Sequence, residues 1–203
     1  MIRNIVFDLG NVLISFRPDE YFEKENYPEN YRTTILNDIF KSEAWRLLDN
    51  GDITLPEAIN AIALRSSLKK EEIAHVFDLR TDLMFPLDQN VRLLSELKKE
   101  GFRLYFLSNF PKDLFEEIRE GYYFFKYFEG GIISSEVGYS KPHLRVYEIL
   151  LEKYSLIPED CLFIDDLEAN VKAAEILGMK GLVTFGSMEI SKELKEALNK
   201  FGY

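Results

Sequence analysis

The chain has 203 residues, 46% hydrophobic and 30% charged, enough apolar material for one large or two modest cores. Its formal net charge of −10 excludes a protein that works by gripping nucleic acid, which needs a basic footprint. One cysteine, Cys161, excludes an internal disulfide and suits a reducing compartment, and no apolar run reaches the ~18–20 residues of a membrane span. The N-terminal MIRNIVFDLGNVLI is interrupted by Asp8 and Asn11 and lacks the cleavage site of a signal peptide, so a cytoplasmic protein is expected.

Ile2–Phe7 is a short β-branched apolar run ending at Asp8, the pattern of a buried parallel strand. Residues 19–84 read as helices, with no convincing strand. Tyr31–Phe40 places Ile35, Ile39 and Phe40 at helical spacing. Thr54 and Glu57 form a capping-box pattern opening Leu55–Leu64, and Leu68–Leu79 follows. After Pro86 the pattern alternates. Val91–Lys99 is helical, with Asp88 as expected N-cap and Gly101 as stop. Then come strand Arg103–Leu107, helix Pro111–Arg119, strand Gly131–Ser134 and helix Arg145–Tyr154. Strand Cys161–Ile164, helix Leu167–Leu177 ended by Gly178, strand Leu182–Phe185 and helix Lys192–Phe201 complete the chain. Such alternation predicts an α/β fold, a Rossmann-like parallel sheet with helices on both faces. Residues 1–15 and 86–203 are expected to form this core, and 16–85 a helical cap domain inserted after the first strand.

Four polar clusters fall at strand ends, where an open α/β sheet binds its ligand. Asp8-Leu9-Gly10-Asn11 offers a carboxylate that can serve as nucleophile or metal ligand, or simply cap a turn. Ser108-Asn109 offers a hydroxyl and an amide able to grip phosphate oxygens, or a plain loop. Lys141-Pro142 offers a mobile positive charge suited to phosphate, or a solvated surface lysine. Asp165-Asp166 is an adjacent acidic pair at the end of an apolar strand. The two repel unless a cation or proton intervenes, and a hard cation such as Mg²⁺ is the natural remedy. One helix N-cap would leave the second Asp unexplained. Asn170, a helical turn on, is placed to orient the pair.

The ordered set Asp8, Ser108-Asn109, Lys141-Pro142 and Asp165-Asp166 resembles the four motifs of the haloacid dehalogenase-like hydrolase superfamily. The stretch Gly138–Gly181 resembles it throughout, and the helical insertion resembles the cap of one class. The Asp-Leu-Gly-Asn-Val form is similar to a branch with sugar-1-phosphate phosphatases and the phosphatase-like domains of epoxide hydrolases. The resemblance implies a Mg²⁺-dependent phosphatase of a small phosphorylated metabolite, such as a hexose 1-phosphate. It implies Asp8 as nucleophile, Mg²⁺ on Asp8, the Gly10 carbonyl and Asp166, with Asp165 as a further ligand or a support. It implies Ser108, Asn109 and Lys141 on the phosphoryl group. Arg17, on the flap beside Asp8, is an added substrate-binding candidate.

Position 10 departs from the pattern. Most phosphatases of the superfamily carry a second Asp there, which handles the leaving-group proton, and Gly10 has no side chain. Three outcomes follow: a slow enzyme, a preference for good leaving groups such as an anomeric oxygen, or a substitute group, for which His143 is a candidate although its place also reads as a surface or helix-start histidine. Two rival readings follow: a 2-haloacid dehalogenase, which needs no metal and lacks such an acidic pair, and a catalytically idle binding protein.

Overall fold

The structure, a computed structural model, describes residues 1–184 and 190–202. The chain opens with β1 (Asn4–Phe7), turns, and forms β2 (Ile14–Phe16). Five helices follow: α1 (Pro18–Lys24), α2 (Glu29–Ile35, continued by a π-helical turn Leu36–Phe40), α3 (Glu43–Asn50), α4 (Leu55–Ala63) and α5 (Lys70–Asp78). Then come β3 (Met84–Pro86), α6 (Asp88–Lys99), β4 (Arg103–Ser108), α7 (Lys112–Gly121), β5 (Gly130–Ile133) and the short α8 (Ser134–Val137). The last elements are α9 (Leu144–Tyr154), β6 (Cys161–Asp165), α10 (Glu168–Ile176), β7 (Lys180–Val183) and α11 (Ser191–Phe201).

The main sheet is parallel, in the order β5-β4-β1-β6-β7. Successive strand residues point to opposite faces, and each face has its own core. Ile5, Phe7, Leu104, Phe106 and Ile164 pack on one side with α6, α7 and α11. Val6, Tyr105, Leu107 and Phe163 pack on the other with α9 and α10. A fully buried side chain of this size contributes about 1.5–3 kcal/mol. These two layers make the rim of β1, β4 and β6 rigid.

The inserted helices bury a third cluster around Phe22, Ile35, Ile39, Ile73, Val76 and Phe77. The capping box is present, with the Glu57 carboxylate accepting from the Thr54 N–H and hydroxyl, each at 2.7 Å. Phe16 packs against both this cluster and the sheet's.

Four sequence expectations need correction. A strand does arise near the end of 19–84, because β2 and β3 pair antiparallel with Ser15 opposite Phe85. Three-residue strands are too short to show alternation. Asp88 is the first helical residue of α6, with Leu87 at the N-cap, where the Leu87 N–H is held by the Leu13 carbonyl at 2.8 Å. β5 stops at Ile133, and Ser134 begins α8. The last strand starts at Lys180, two residues before the expected Leu182, and Phe185 lies outside the described residues. Among the described residues no helix is long and apolar enough to cross a membrane.

The end of α3 is moored to the sheet side of the molecule. Ser134 donates its hydroxyl to the Asp49 carbonyl, and Ser140 donates to Asn50 Oδ1 at 2.9 Å. Gly51 stands at φ +80°, and a Cβ there would come within 2.7 Å of the Ser135 carbonyl oxygen. Gly51→Ala therefore meets both backbone strain and a clash. Its expected cost is about 1–3 kcal/mol, which lowers Tm by roughly 2–10 °C in thermal unfolding.

Candidate active site

β1 delivers Asp8 to the sheet edge. The register pairs Phe7 with Ile164, so the next residues, Asp8 and Asp165, stand side by side. The Asp8 N–H donates to the Ile164 carbonyl at 2.8 Å and locks this placement. The chain then reverses: the Leu9 carbonyl accepts from Leu13 and Ile14 at 2.9 and 2.8 Å. Asn11 takes φ 53° in this turn, a conformation asparagine tolerates better than most side chains. Its Nδ2 donates to Asp166 Oδ2 at 3.3 Å, and its Oδ1 accepts from the Phe16 N–H at 3.2 Å. The sequence reading gave Asn11 no role. An amide at a forced reversal was the available signal.

Three donors converge on one oxygen of Asp8. The Leu9 N–H and the Ser108 hydroxyl reach Oδ1 at 2.7 Å each, and Lys141 Nζ lies 2.8 Å from it. Among the described residues no hydrogen bond falls on Oδ2. One oxygen is pinned and the other is left to react.

Lys141 also lies 2.6 Å from Asp165 Oδ2, and its side chain is 2% exposed. Asn170 Nδ2 donates to both Asp165 oxygens at 2.9 and 3.1 Å, and the Leu167 N–H donates to Oδ1 at 2.9 Å. Asp165 is thus engaged in fixing Lys141 and the start of α10. Asp166, half-buried, keeps more of its lone pairs free. The Asn109 side chain is engaged by a neighbouring loop: its Oδ1 accepts from the Lys141 N–H at 2.8 Å, and its Nδ2 donates to the Lys141 carbonyl at 3.0 Å. It clamps the backbone that presents the lysine.

The charges are strongly conditioned. Burial is the largest influence on Asp8 and pushes its carboxyl up to about 6, aided by the Asp165 charge and opposed by Lys141 and Ser108. Burial and the Asp165 charge also raise Asp166. Burial works against the Lys141 ammonium, but Asp8 and Asp165 outweigh it and hold Lys141 above the ordinary lysine value. Cys161 is buried in β6, which pushes its thiol up to about 12 and makes it unreactive.

Asp8, Asp165 and Asp166 each offer an oxygen within 4.8 Å of the others. These three carboxylates supply the hard oxygen donors that fit a divalent cation such as Mg²⁺. Space for one exists beside Gly10, where a Cβ would meet nothing within 4 Å.

A cavity of about 150 Å³ opens over Asp8. Asp8, Gly10, Ser108, Asn109, Lys141 and Asn170 reach it from the sheet edge. Ile14, Phe16, Trp45, Met84, Phe110 and Leu114 give it apolar walls, and Asp49 of α3 lines it from the inserted helices, its buried carboxyl bonded by the Trp45 side chain. Arg17 is not among the lining residues; its Nη1 lies 2.7 Å from Glu20 Oε1. His143 does not line it either. Its Nδ1 accepts from the Arg145 N–H at 3.1 Å as the N-cap of α9, and its ring lies 5.0 Å from Tyr139.

The sequence pattern of haloacid dehalogenase-like hydrolases matches residues 2–178, from β1 to just past α10. The chain belongs to the haloacid dehalogenase-like hydrolase family. This hydrolase is 30% identical to a sesquiterpene phosphatase of Aspergillus oryzae, over 94% of each chain. Its fold matches a family enzyme of Bacteroides thetaiotaomicron solved with magnesium and inorganic phosphate, with a TM-score of 0.73 and 24% identity over 95% of this chain and 99% of that one. It also matches an L-2-haloacid dehalogenase of Xanthobacter autotrophicus, with a TM-score of 0.69 and 18% identity over 99% and 87%.

Trp45 and Asp49, like Asn11, carried no role in the sequence. Both come from α3, whose eight residues were not separated from the surrounding helical stretch.

Proposed function

We propose that this hydrolase is a Mg²⁺-dependent phosphatase that cleaves a small phosphomonoester through an aspartyl-phosphate on Asp8. The observation that carries this reading is Asp8 itself, pinned at Oδ1 and unbonded at Oδ2, beside two further carboxylates and a buried lysine. Asp8 facing a phosphate at ~4 Å is repelled by about 4 kcal/mol per unit charge at an effective dielectric of 20. Asp8, Asp166 and the Gly10 carbonyl would hold Mg²⁺, with Asp165 behind them. Bound Mg²⁺ supplies the positive charge that offsets this repulsion and stabilises the transition state. Lys141 adds a second positive charge and Ser108 a hydroxyl donor for the phosphoryl oxygens. Residues 16–85 form the cap domain and close the organic part of the substrate against water.

The apolar walls favour an apolar organic group over a sugar. A hexose presents several hydroxyls, and the walls answer them with one carboxyl, Asp49. The similarity to a sesquiterpene phosphatase agrees with this. The acidic pair disfavours the dehalogenase reading, and a buried lysine holding two carboxylates disfavours an idle fold.

The test is phosphate release from a prenyl or alkyl phosphate, hexose 1-phosphate and p-nitrophenyl phosphate, with Mg²⁺ and with EDTA. The expected result is release that needs Mg²⁺, with kcat/KM highest for the apolar substrates. Chloride release from 2-chloropropionate, without metal, overturns the reading. In thermal unfolding, each tenfold rise in Mg²⁺ above its Kd should add about 1.4 kcal/mol of stability. The gain should shrink on acidification, because protons compete for the carboxylates.

A further inference from the structure

Expelling an alkoxide from a phosphomonoester needs a proton on the departing oxygen, because an alkoxide is a far stronger base than water at neutral pH tolerates. The space beside Gly10 is empty of side chains within 4 Å of where a Cβ would stand. Of the groups lining the cavity that can carry a proton, Asp8 is the nucleophile. Ser108 donates to Asp8, and Lys141 is fixed between two carboxylates. His143 lines an adjoining cavity that Asp49 and Lys141 share, but it does not line the one over Asp8. One acid remains, Asp49, on the cap side, where the leaving group must lie if phosphorus faces Asp8.

Asp49 is built into place. Its own carbonyl accepts from Ser134, its neighbour Asn50 accepts from Ser140, and Gly51 allows α3 to approach Ser135 closely. All three contacts join α3 to the segment from Ser134 to Ser140, which leads directly into Lys141. We infer that Asp49 is the general acid and base of this hydrolase, the role for which position 10 has no side chain. The inference rests on the phosphatase reading and deepens it.

In the first step Asp8 Oδ2 bonds to phosphorus as the ester P–O bond breaks, and the Asp49 carboxyl gives its proton to the departing oxygen, leaving an alcohol. In the second step the Asp49 carboxylate takes a proton from water as that water bonds to phosphorus. The bond to Asp8 breaks, inorganic phosphate leaves, and both side chains return to their starting forms. Asp49 is suited to this exchange: burial pushes its carboxyl up to about 7, with Trp45 and Arg80 only partly offsetting it. A group with that value holds its proton in a useful fraction of molecules near neutrality.

The experiment compares kcat/KM for an alkyl phosphate and for p-nitrophenyl phosphate, whose leaving group needs no proton, in the wild type and in Asp49→Asn. Expected is a fall of about 10²–10⁴-fold in the ratio of the two values. An unchanged ratio, whether both rates fall or neither does, overturns the proposal and makes Asp49 a structural or binding residue. If Asp49→Asn does not fold, the wild type alone decides. Across alkyl and aryl phosphates of rising leaving-group basicity its kcat/KM should stay nearly flat, and a steep decline overturns the proposal. A wild type inactive on every member of the series instead removes the phosphatase reading itself.

Discussion

Asp8→Asn is expected to lower phosphate release by about 10⁴-fold or more while leaving the fold intact. The amide is nearly the same shape as the carboxylate. Its oxygen can still accept from the Leu9 N–H and the Ser108 hydroxyl, so the turn after β1 keeps its anchors. The other position becomes an NH₂ group, which has no lone pair for phosphorus. Steady-state phosphate release and far-UV circular dichroism of the purified variant check both halves of the statement. A residual rate within tenfold of the wild type would mean that water attacks phosphorus directly and that Asp8 serves only electrostatically.

Lys141→Ala has the second large effect, and it strikes stability as well as turnover. The ammonium lies 2.8 Å from Asp8 and 2.6 Å from Asp165, with Asp165 fully buried. Removing it leaves two like charges in a dry site. Breaking a buried pair in this way costs about 3–5 kcal/mol. In a chain of this length that lowers Tm by roughly 6–20 °C. The loss of a positive charge at the phosphoryl group should cost a further 10²–10³-fold, approximately, in kcat. The pH dependence has a definite sign. Asp8 stands at about 6 in the folded protein against an ordinary 3.8, and loss of Lys141 removes an influence that holds it down. Between these values the folded state binds more protons than the unfolded state, so stability rises as pH falls. In EDTA, the variant's deficit should therefore narrow from pH 7 towards pH 4. A deficit independent of pH would show that lost packing, not uncompensated charge, is responsible.

Much of the site was legible because topology does the work of assembly. Apolar runs ending in Asp8, Ser108 and Asp165 mark three strand ends, and a parallel sheet brings neighbouring strand ends together. Asn170 was legible for the related reason that one helical turn returns a side chain to the same edge. What stayed hidden depends on docking between elements far apart in the chain. Asp49 is one of 35 acidic residues, and nothing local distinguishes it from a solvated helix carboxylate. Its value comes from Ser134, Ser140 and the cavity wall. Asn109 lines the cavity as a phosphate-binding residue would, but its hold on the Lys141 backbone depends on two loops meeting and was not legible. His143, two residues from Lys141, was open to two readings, a substitute acid or a helix-start histidine, and it stands at the N-cap of α9. The chain turns into α9 there, so the imidazole lines an adjoining cavity and not the one over Asp8. The β2–β3 ribbon was hidden by its length alone.

The central claim is a covalent bond between Asp8 and phosphorus, and chemical trapping tests it most directly. Enzyme mixed with p-nitrophenyl phosphate and Mg²⁺ is quenched rapidly and treated with borohydride, which reduces an acyl phosphate to the alcohol. Peptide mass spectrometry then locates the change. The account predicts homoserine in place of aspartate at position 8, dependent on substrate and absent from Asp8→Asn. Rapid turnover with an unmodified Asp8, or reduction at Asp49, Asp165 or Asp166 instead, would contradict it.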